Sequence, residues 1–228
     1  SDLYKNKLIN KCKFGKKMNI KDAFNPYLIN NNPVKNDIEL EKNMIITGPN
    51  ASGKTTLLKT VLINQIFSQC FGCGFFKKAT IPIYNSIHCY LNIPDTSGRD
   101  SLFQAEAKRC KQIIDSLQDN NKHFCIFDEL FSGTNPTEAC ASSYGFIKYL
   151  NTKKIDFLLT THLVDLCQKL ENNVKQCHMK VKQKNSFEFD FTYKIESGIS
   201  TIKGGLKVLN DLCFPDEIIK KSSFYLEN

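Results

Sequence analysis

The sequence predicts an α/β fold: a mostly parallel sheet flanked by helices, with an antiparallel β hairpin added late in the chain and a short helical tail after it. Three observations carry this expectation. Short apolar segments alternate with segments of helical periodicity, the pattern of strands joined by helical crossovers. A glycine-rich turn, Gly48 to Gly53, joins one such strand to the helix after it. Residues 174–195 change to a period of two.

The composition is that of a globular domain. The 228 residues suffice for one α/β unit with a substantial core, and 41% hydrophobic with 24% charged residues are ordinary values. No apolar run approaches the roughly 20 residues of a membrane span, so no membrane partner is expected. No N-terminal secretory pattern appears in the sequence. The 10 cysteines are scattered through expected strands and helices. Cys110, Cys125 and Cys140 read as small core residues, which points to a reducing, intracellular compartment: cytoplasm, nucleus, or a DNA-containing organelle or viral factory. Cys70-Phe71-Gly72-Cys73 lacks the second pair a zinc site needs, and His88-Cys89 and Cys177-His178 lack finger spacing. The formal net charge of +8 permits contact with nucleic acid, but the lysines are spread along the chain, and biased Lys and Asn usage accounts for the excess equally well.

Each element has its own signal. Residues 1–43 form a polar, lysine-rich lead-in, with a turn at Pro33-Val34-Lys35-Asn36-Asp37 before a short strand, Ile38-Glu39-Leu40. Met44-Ile45-Ile46-Thr47 is an apolar strand. The helix from Thr55 onward ends at Gly72 and Gly74. Ile81 to Leu91 is extended. A loop, Asp95 to Asp100, opens a long helix from Ser101 to Leu117. Lys122 to Phe127 is a strand, Pro136 starts a helix running to about Leu150, and Ile155 to Thr160 is a further buried strand. Phe187, Phe189, Phe191 and Tyr193 then alternate with polar residues, with a turn at Lys184-Asn185-Ser186. Such an aromatic stripe reads as one buried sheet face rather than a base-stacking platform. A helical tail begins at Gly205. The chain thus divides into a lead-in (1–43), a nucleotide-binding core (44–170), a hairpin (171–200) and a tail (201–228). It starts at Ser1, and is expected to be part of a longer protein.

The chemistry concentrates in three places. Gly48-Pro49-Asn50-Ala51-Ser52-Gly53-Lys54-Thr55-Thr56 fits the phosphate-loop (Walker A) pattern G-x-x-x-x-G-K-S/T in full. Glycines let several backbone N–H groups converge on one anion at a helix N-terminus. Lys54 can reach the outer phosphates and the Thr55 hydroxyl can ligate Mg²⁺. Cys125-Ile126-Phe127-Asp128-Glu129 is an apolar strand ending in two acids, where Asp128 would hold the metal's shell and Glu129 would polarise the attacking water. Two acids at a strand end could be mere solvated caps; beside a complete phosphate loop they read as its partners. Thr160-Thr161-His162 ends the next strand, with His162 placed to hydrogen-bond a γ-phosphate or to cap a helix, and Thr161 to orient water.

Loop, strand-Asp-Glu and strand-Thr-His, in that order, describe the phosphate-loop NTPases of the broad ABC/SMC/MutS class, and the Leu-Ser-Gly-Gly-like signature of transporters and SMC proteins is missing. The chain instead resembles the ATPase domain of the MutS family, as a divergent branch. Gly48 to Thr56 resembles the family's G-P-N-x-x-G-K-S/T-T. Pro94 to Glu106 resembles its signature loop, D-x-x-x-S-G-x-S-x-F-x-x-E, with one extra residue. Asp128 to Thr134 resembles D-E-I/L-x-x-G-T, and Ile155 to His162 the strand ending in A/T-T-H. His178 to Val181, Tyr193 to Ser200 and Gly205 to Val208 resemble later family segments in the same order, and Pro33 to Ile38 resembles the segment before the loop. Departures are Phe131-Ser132, where the family usually has Gly-Arg, and Asn135 to Glu138.

The resemblance implies a Mg²⁺-dependent ATPase that dimerises around ATP and couples it to DNA binding, in mismatch repair or recombination. It implies that Asn50 contacts the γ-phosphate region and Ser101 the γ-phosphate of the opposite subunit, that Val34 and Lys35 lie near adenine and ribose, and that the C-terminal helices clasp a homodimeric or related heterodimeric partner. DNA contact would run through the parent protein. The alternatives are an ATP-dependent dimerisation module of SMC or ABC type with little turnover, and a full ATPase of that type.

Overall fold

The computed structural model describes residues 8–91, 93, 101–170, 173–183, 189–200, 202 and 204–227. The expected turn at Lys184 to Ser186, Phe187, and Pro94 to Asp100 of the signature loop lie outside them.

Among the described residues, eleven strands form two sheets. β1 (Asn10–Phe14), β2 (Met18–Ala23), β3 (Asn36–Leu40), β5 (Cys73–Gly74) and β6 (Lys78–Ile81) make a five-stranded sheet in the order β3-β2-β6-β1-β5. β4 (Met44–Thr47), β7 (Ser86–Tyr90), β8 (His123–Asp128), β9 (Asp156–Thr160), β10 (Lys175–Gln183) and β11 (Phe189–Ser197) make a six-stranded sheet in the order β11-β10-β4-β9-β8-β7. Every pair in the second sheet is parallel except β10 with β11, which is the expected antiparallel hairpin.

The helices are α1 (Lys54–Phe71), α2 (Leu102–Ser116), α3 (Pro136–Thr152), α4 (Val164–Leu170), α5 (Gly205–Asp211) and α6 (Asp216–Glu227). Their ends have local causes. Gly72 ends α1 in the left-handed region (φ 68°), and its N–H donates to the Ser68 carbonyl. Gly74, expected to share that role, instead lies in β5. Asn135 caps α3 through its side chain, with Pro136 in the first turn.

The parallel strands are buried on both faces, so their residues alternate between two cores. Met44, Ile46, Phe124, Ile126 and Leu158 meet α1 and the inner face of the five-stranded sheet, where Ile20 and Ile38 are fully buried. Ile45, Phe127, Phe157 and Leu159 face the other way, onto Ile113 of α2, Phe146 and Ile147 of α3, and Leu166 of α4. The five-stranded sheet corrects the reading of the lead-in as nearly strandless: β2 buries Met18, Ile20 and Ala23, β1 only half-buries Asn10 and Cys12, and both carry lysine and asparagine. All ten cysteines are free thiols, with Cys110 and Cys125 buried and Cys140 half-buried. Among the described residues no helix is long and apolar enough to cross a membrane.

Candidate active site

The three motif segments converge at the carboxyl ends of β4, β9 and β8, adjacent strands of one parallel sheet, which is where ligand crevices form in such sheets. The loop after β4 turns through Ala51 (φ 61°) and Gly53 (φ 97°) into α1. Gly53 has a second reason to be glycine: a Cβ there would stand 3.0 Å from the Tyr193 ring. The Lys54 ammonium is almost buried and curls over the loop, donating to the carbonyls of Gly48 (2.9 Å) and Pro49 (3.3 Å).

Asp128 and Glu129 end β8 with different partners. Asp128 accepts from the Thr55 hydroxyl (2.8 Å) and from the Thr160 hydroxyl. Glu129 turns into the left-handed region (φ 55°), its N–H donating to the Thr160 carbonyl. Its carboxylate meets His162 Nδ1 at 2.8 Å and Lys54 Nζ at 3.4 Å. Burial pushes the Glu129 carboxyl up, but the His162 hydrogen bond and the Lys54 charge outweigh it and hold the group below the ordinary glutamate range. The hydrogen bond to Glu129, against burial, raises the His162 imidazole above its usual value. Thr160, whose hydroxyl donates to Asp128 and whose carbonyl accepts from the Glu129 N–H, joins the Thr55–Asp128 pair to the Lys54–Glu129–His162 group, so the expected cluster is connected through it.

Other expected residues fall around it. Gly48, Pro49, Asn50 and Ala51 line a cavity of about 560 Å³ with His162, Phe189, Phe191 and residues of α5. Val34, Gly53 and Thr56 line a second cavity of about 370 Å³ with Leu28, Met179 and Tyr193. Lys35 is not part of that lining; its ammonium lies 5.8 Å from the Phe24 ring centroid. The buried Thr161 hydroxyl accepts from the Leu163 N–H, so the threonine facing the acids is Thr160. Ser101 is exposed and caps α2, its hydroxyl accepting from the Gln104 N–H while the Gln104 side chain accepts from the Ser101 N–H.

Three features went unread in the sequence. The stripe Phe189, Phe191, Tyr193 is not one buried face: only Phe189 is buried, and its members border the two cavities flanking the phosphate loop. Glu106, buried, accepts from the Ser132 N–H and hydroxyl and from the Gly133 N–H, at 2.8–3.0 Å. It ties α2 to the turn beyond Glu129. Gly204 packs on the loop from the tail, where a Cβ would stand 2.9 Å from that of Pro49.

Two observations test the fit to a nucleotide and its metal. The Ser52 hydroxyl inside the loop is buried without a hydrogen-bond partner. The Thr55 hydroxyl and the Asp128 carboxylate, brought together by their hydrogen bond, are hard oxygen donors of the kind Mg²⁺ takes beside phosphate. Both suit a Mg-nucleotide.

Residues 44–228 match the family described as MutS domain V. The chain is 32% identical over 185 residues to MutS protein homolog 4 of Mus musculus, covering 77% of this chain and 19% of that one. It is 31% identical over 227 residues to DNA mismatch repair protein MutS of Macrococcus caseolyticus, covering 93% and 26%. It is 30% identical over 198 residues to DNA mismatch repair protein MSH3 of Yarrowia lipolytica, covering 84% and 19%. The chain thus spans about a fifth to a quarter of the length of these relatives. On this match, and with the phosphate-loop geometry behind it, the chain belongs to the MutS family, whose domain V makes up its residues 44–228.

Proposed function

We propose that this chain binds and hydrolyses Mg-ATP, dimerises around it, and serves a DNA-acting MutS protein in mismatch repair or recombination. The observation that carries the reading is the network of Lys54, Thr55, Asp128, Glu129 and His162, connected through Thr160, at the ends of three adjacent parallel strands. The DNA role is taken from relatives named for DNA mismatch repair.

In this reading the loop N–H groups and Lys54 hold the phosphates, and Lys54 leaves the Gly48 and Pro49 carbonyls to do so. Thr55 and Asp128 hold Mg²⁺, which when bound supplies charge neutralisation at the phosphate oxygens. Glu129, kept ionised by His162 and Lys54, orients and polarises the attacking water. His162, held in a raised-pKa state by Glu129, presents its other ring nitrogen toward the developing charge. Adenine stacks in the cavity beside Tyr193 and Val34. Ser101 on α2 reaches the partner's nucleotide, and the α5–α6 tail, which exposes Leu212, Phe214 and Ile218, meets the partner.

Nucleotide titration of wild type and Lys54→Ala checks the site. ATP affinity is expected to fall by about 100-fold or more, the loss of a charge-assisted phosphate contact of roughly 3 kcal/mol. Unchanged affinity would remove the phosphate loop from the account.

A further inference from the structure

Four of the lysines dispersed along the sequence, Lys11, Lys13, Lys21 and Lys78, come together on the outer face of the five-stranded sheet. Ile20 of β2, Ala79 of β6 and Cys12 of β1 pack into the core, so their neighbours along each strand point outward. Lys21 lies directly opposite Lys78, and Cys12 pairs with Ala79, which puts Lys11 on the other side of Lys78. Lys13 pairs with Thr80 in the next row. Adjacent strands are about 4.8 Å apart, so Lys21, Lys78 and Lys11 form a row spanning about 10 Å. Lys16 and Lys17, both exposed, extend the charge past the end of β1. Lys21 is neutralised by Asp37 and Glu39 of the edge strand β3, but Lys11, Lys13 and Lys78 have no acidic partner among the described residues.

Like charges directly opposite one another cost a sheet stability, so folding alone does not favour this row. A partner that brings negative charge offsets that cost. Protein interfaces are depleted in lysine and anchored by aromatics; the two rows, Lys11-Lys78-Lys21 and Lys13-Thr80-Asn19, contain no aromatic residue. We infer that the outer face of the five-stranded sheet is an interaction surface for the phosphate backbone of a nucleic acid duplex, contacted without reading of bases. The inference rests on charge and register alone, and its failure would leave the nucleotide site untouched.

The test uses the whole chain without nucleotide. Fluorescence anisotropy measures binding to a labelled DNA duplex over a range of salt concentrations, for wild type and for K11A/K13A/K78A. Wild type is expected to bind, with log affinity falling linearly against log salt, and the triple variant is expected to lose about 2 to 3 from that slope and at least tenfold in affinity. K11R/K13R/K78R is expected to restore both, and unchanged Mg-ATP titration of each variant reports that it is folded. Wild-type binding that the triple variant leaves unaltered would overturn the surface assignment. A wild type that ignores the duplex but binds a poly-glutamate peptide through these lysines would overturn the nucleic acid in favour of an acidic protein.

Discussion

Single side chains in this site do two jobs each. Glu129 is the proposed water-polarising group and also the anchor of His162 and Lys54, so its charge is structural as well as chemical. The linkage has a definite sign. The lowered Glu129 pKa contributes stability above about pH 4.3 that is lost as pH falls through the folded value; the raised His162 pKa contributes stability below about pH 6.5 that is lost as pH rises through its folded value. The pair is fully formed between those limits. The gap in thermal midpoint between wild type and His162→Ala is expected to be largest between about pH 4.3 and 6.5 and to close at higher pH. A gap that widens steadily above about pH 7 would contradict the pairing. Residue chemistry of this kind was legible in the sequence, because Lys54, Thr55, Asp128, Glu129 and His162 each lie within a short motif at a strand end. Tyr193 and Met179 were not, since each reaches the cavity beside Gly53 from more than a hundred residues along the chain. Phe131 marks a further departure: it sits at φ 56°, a conformation natural to the glycine of the family pattern, while its ring packs against Phe103 and Phe146.

At the scale of elements, the junction between α2 and the turn after β8 joins the Ser101 helix to the Glu129 strand. Both oxygens of the buried Glu106 are used by the turn, and a Cβ on Gly133 would stand 2.6 Å from the Phe103 backbone nitrogen. Either Glu106→Gln, which sets a donor against a donor, or Gly133→Ala, which forces two backbones apart, is expected to cost about 1–3 kcal/mol in urea unfolding. A loss below about 0.5 kcal/mol for both would mean the junction is not packed this way. The parallel strands and their helices could be read because buried strands are short continuous apolar runs, as at Met44–Thr47, His123–Asp128 and Asp156–Thr160. β1 and β2 could not. Asn10 to Phe14 and Met18 to Ala23 owe their strand state to pairing with β5, β6 and β3, and in isolation their lysines look like a solvated leader.

For the whole molecule, the proposed composite site makes ATP binding and association one equilibrium. Glu129→Gln with Mg-ATP is expected to double its mass in light scattering, and the further change Ser101→Asn to keep it monomeric. Asparagine is chosen because Ser101 caps α2; alanine there would also cost the cap, typically about 1 kcal/mol. A dimer that persists after both Ser101→Asn and Ser101→Ala would exclude a hydroxyl contact across the interface.

Phosphate release, measured beside equilibrium ATP binding, decides whether Glu129 drives hydrolysis at the phosphate loop. Glu129→Gln is predicted to bind Mg-ATP at least as well as wild type while its turnover falls by about 10²–10⁴-fold. Turnover within about twofold of wild type, with binding intact, would mean that Glu129 is not the general base, whose loss typically costs about 10²–10⁴-fold.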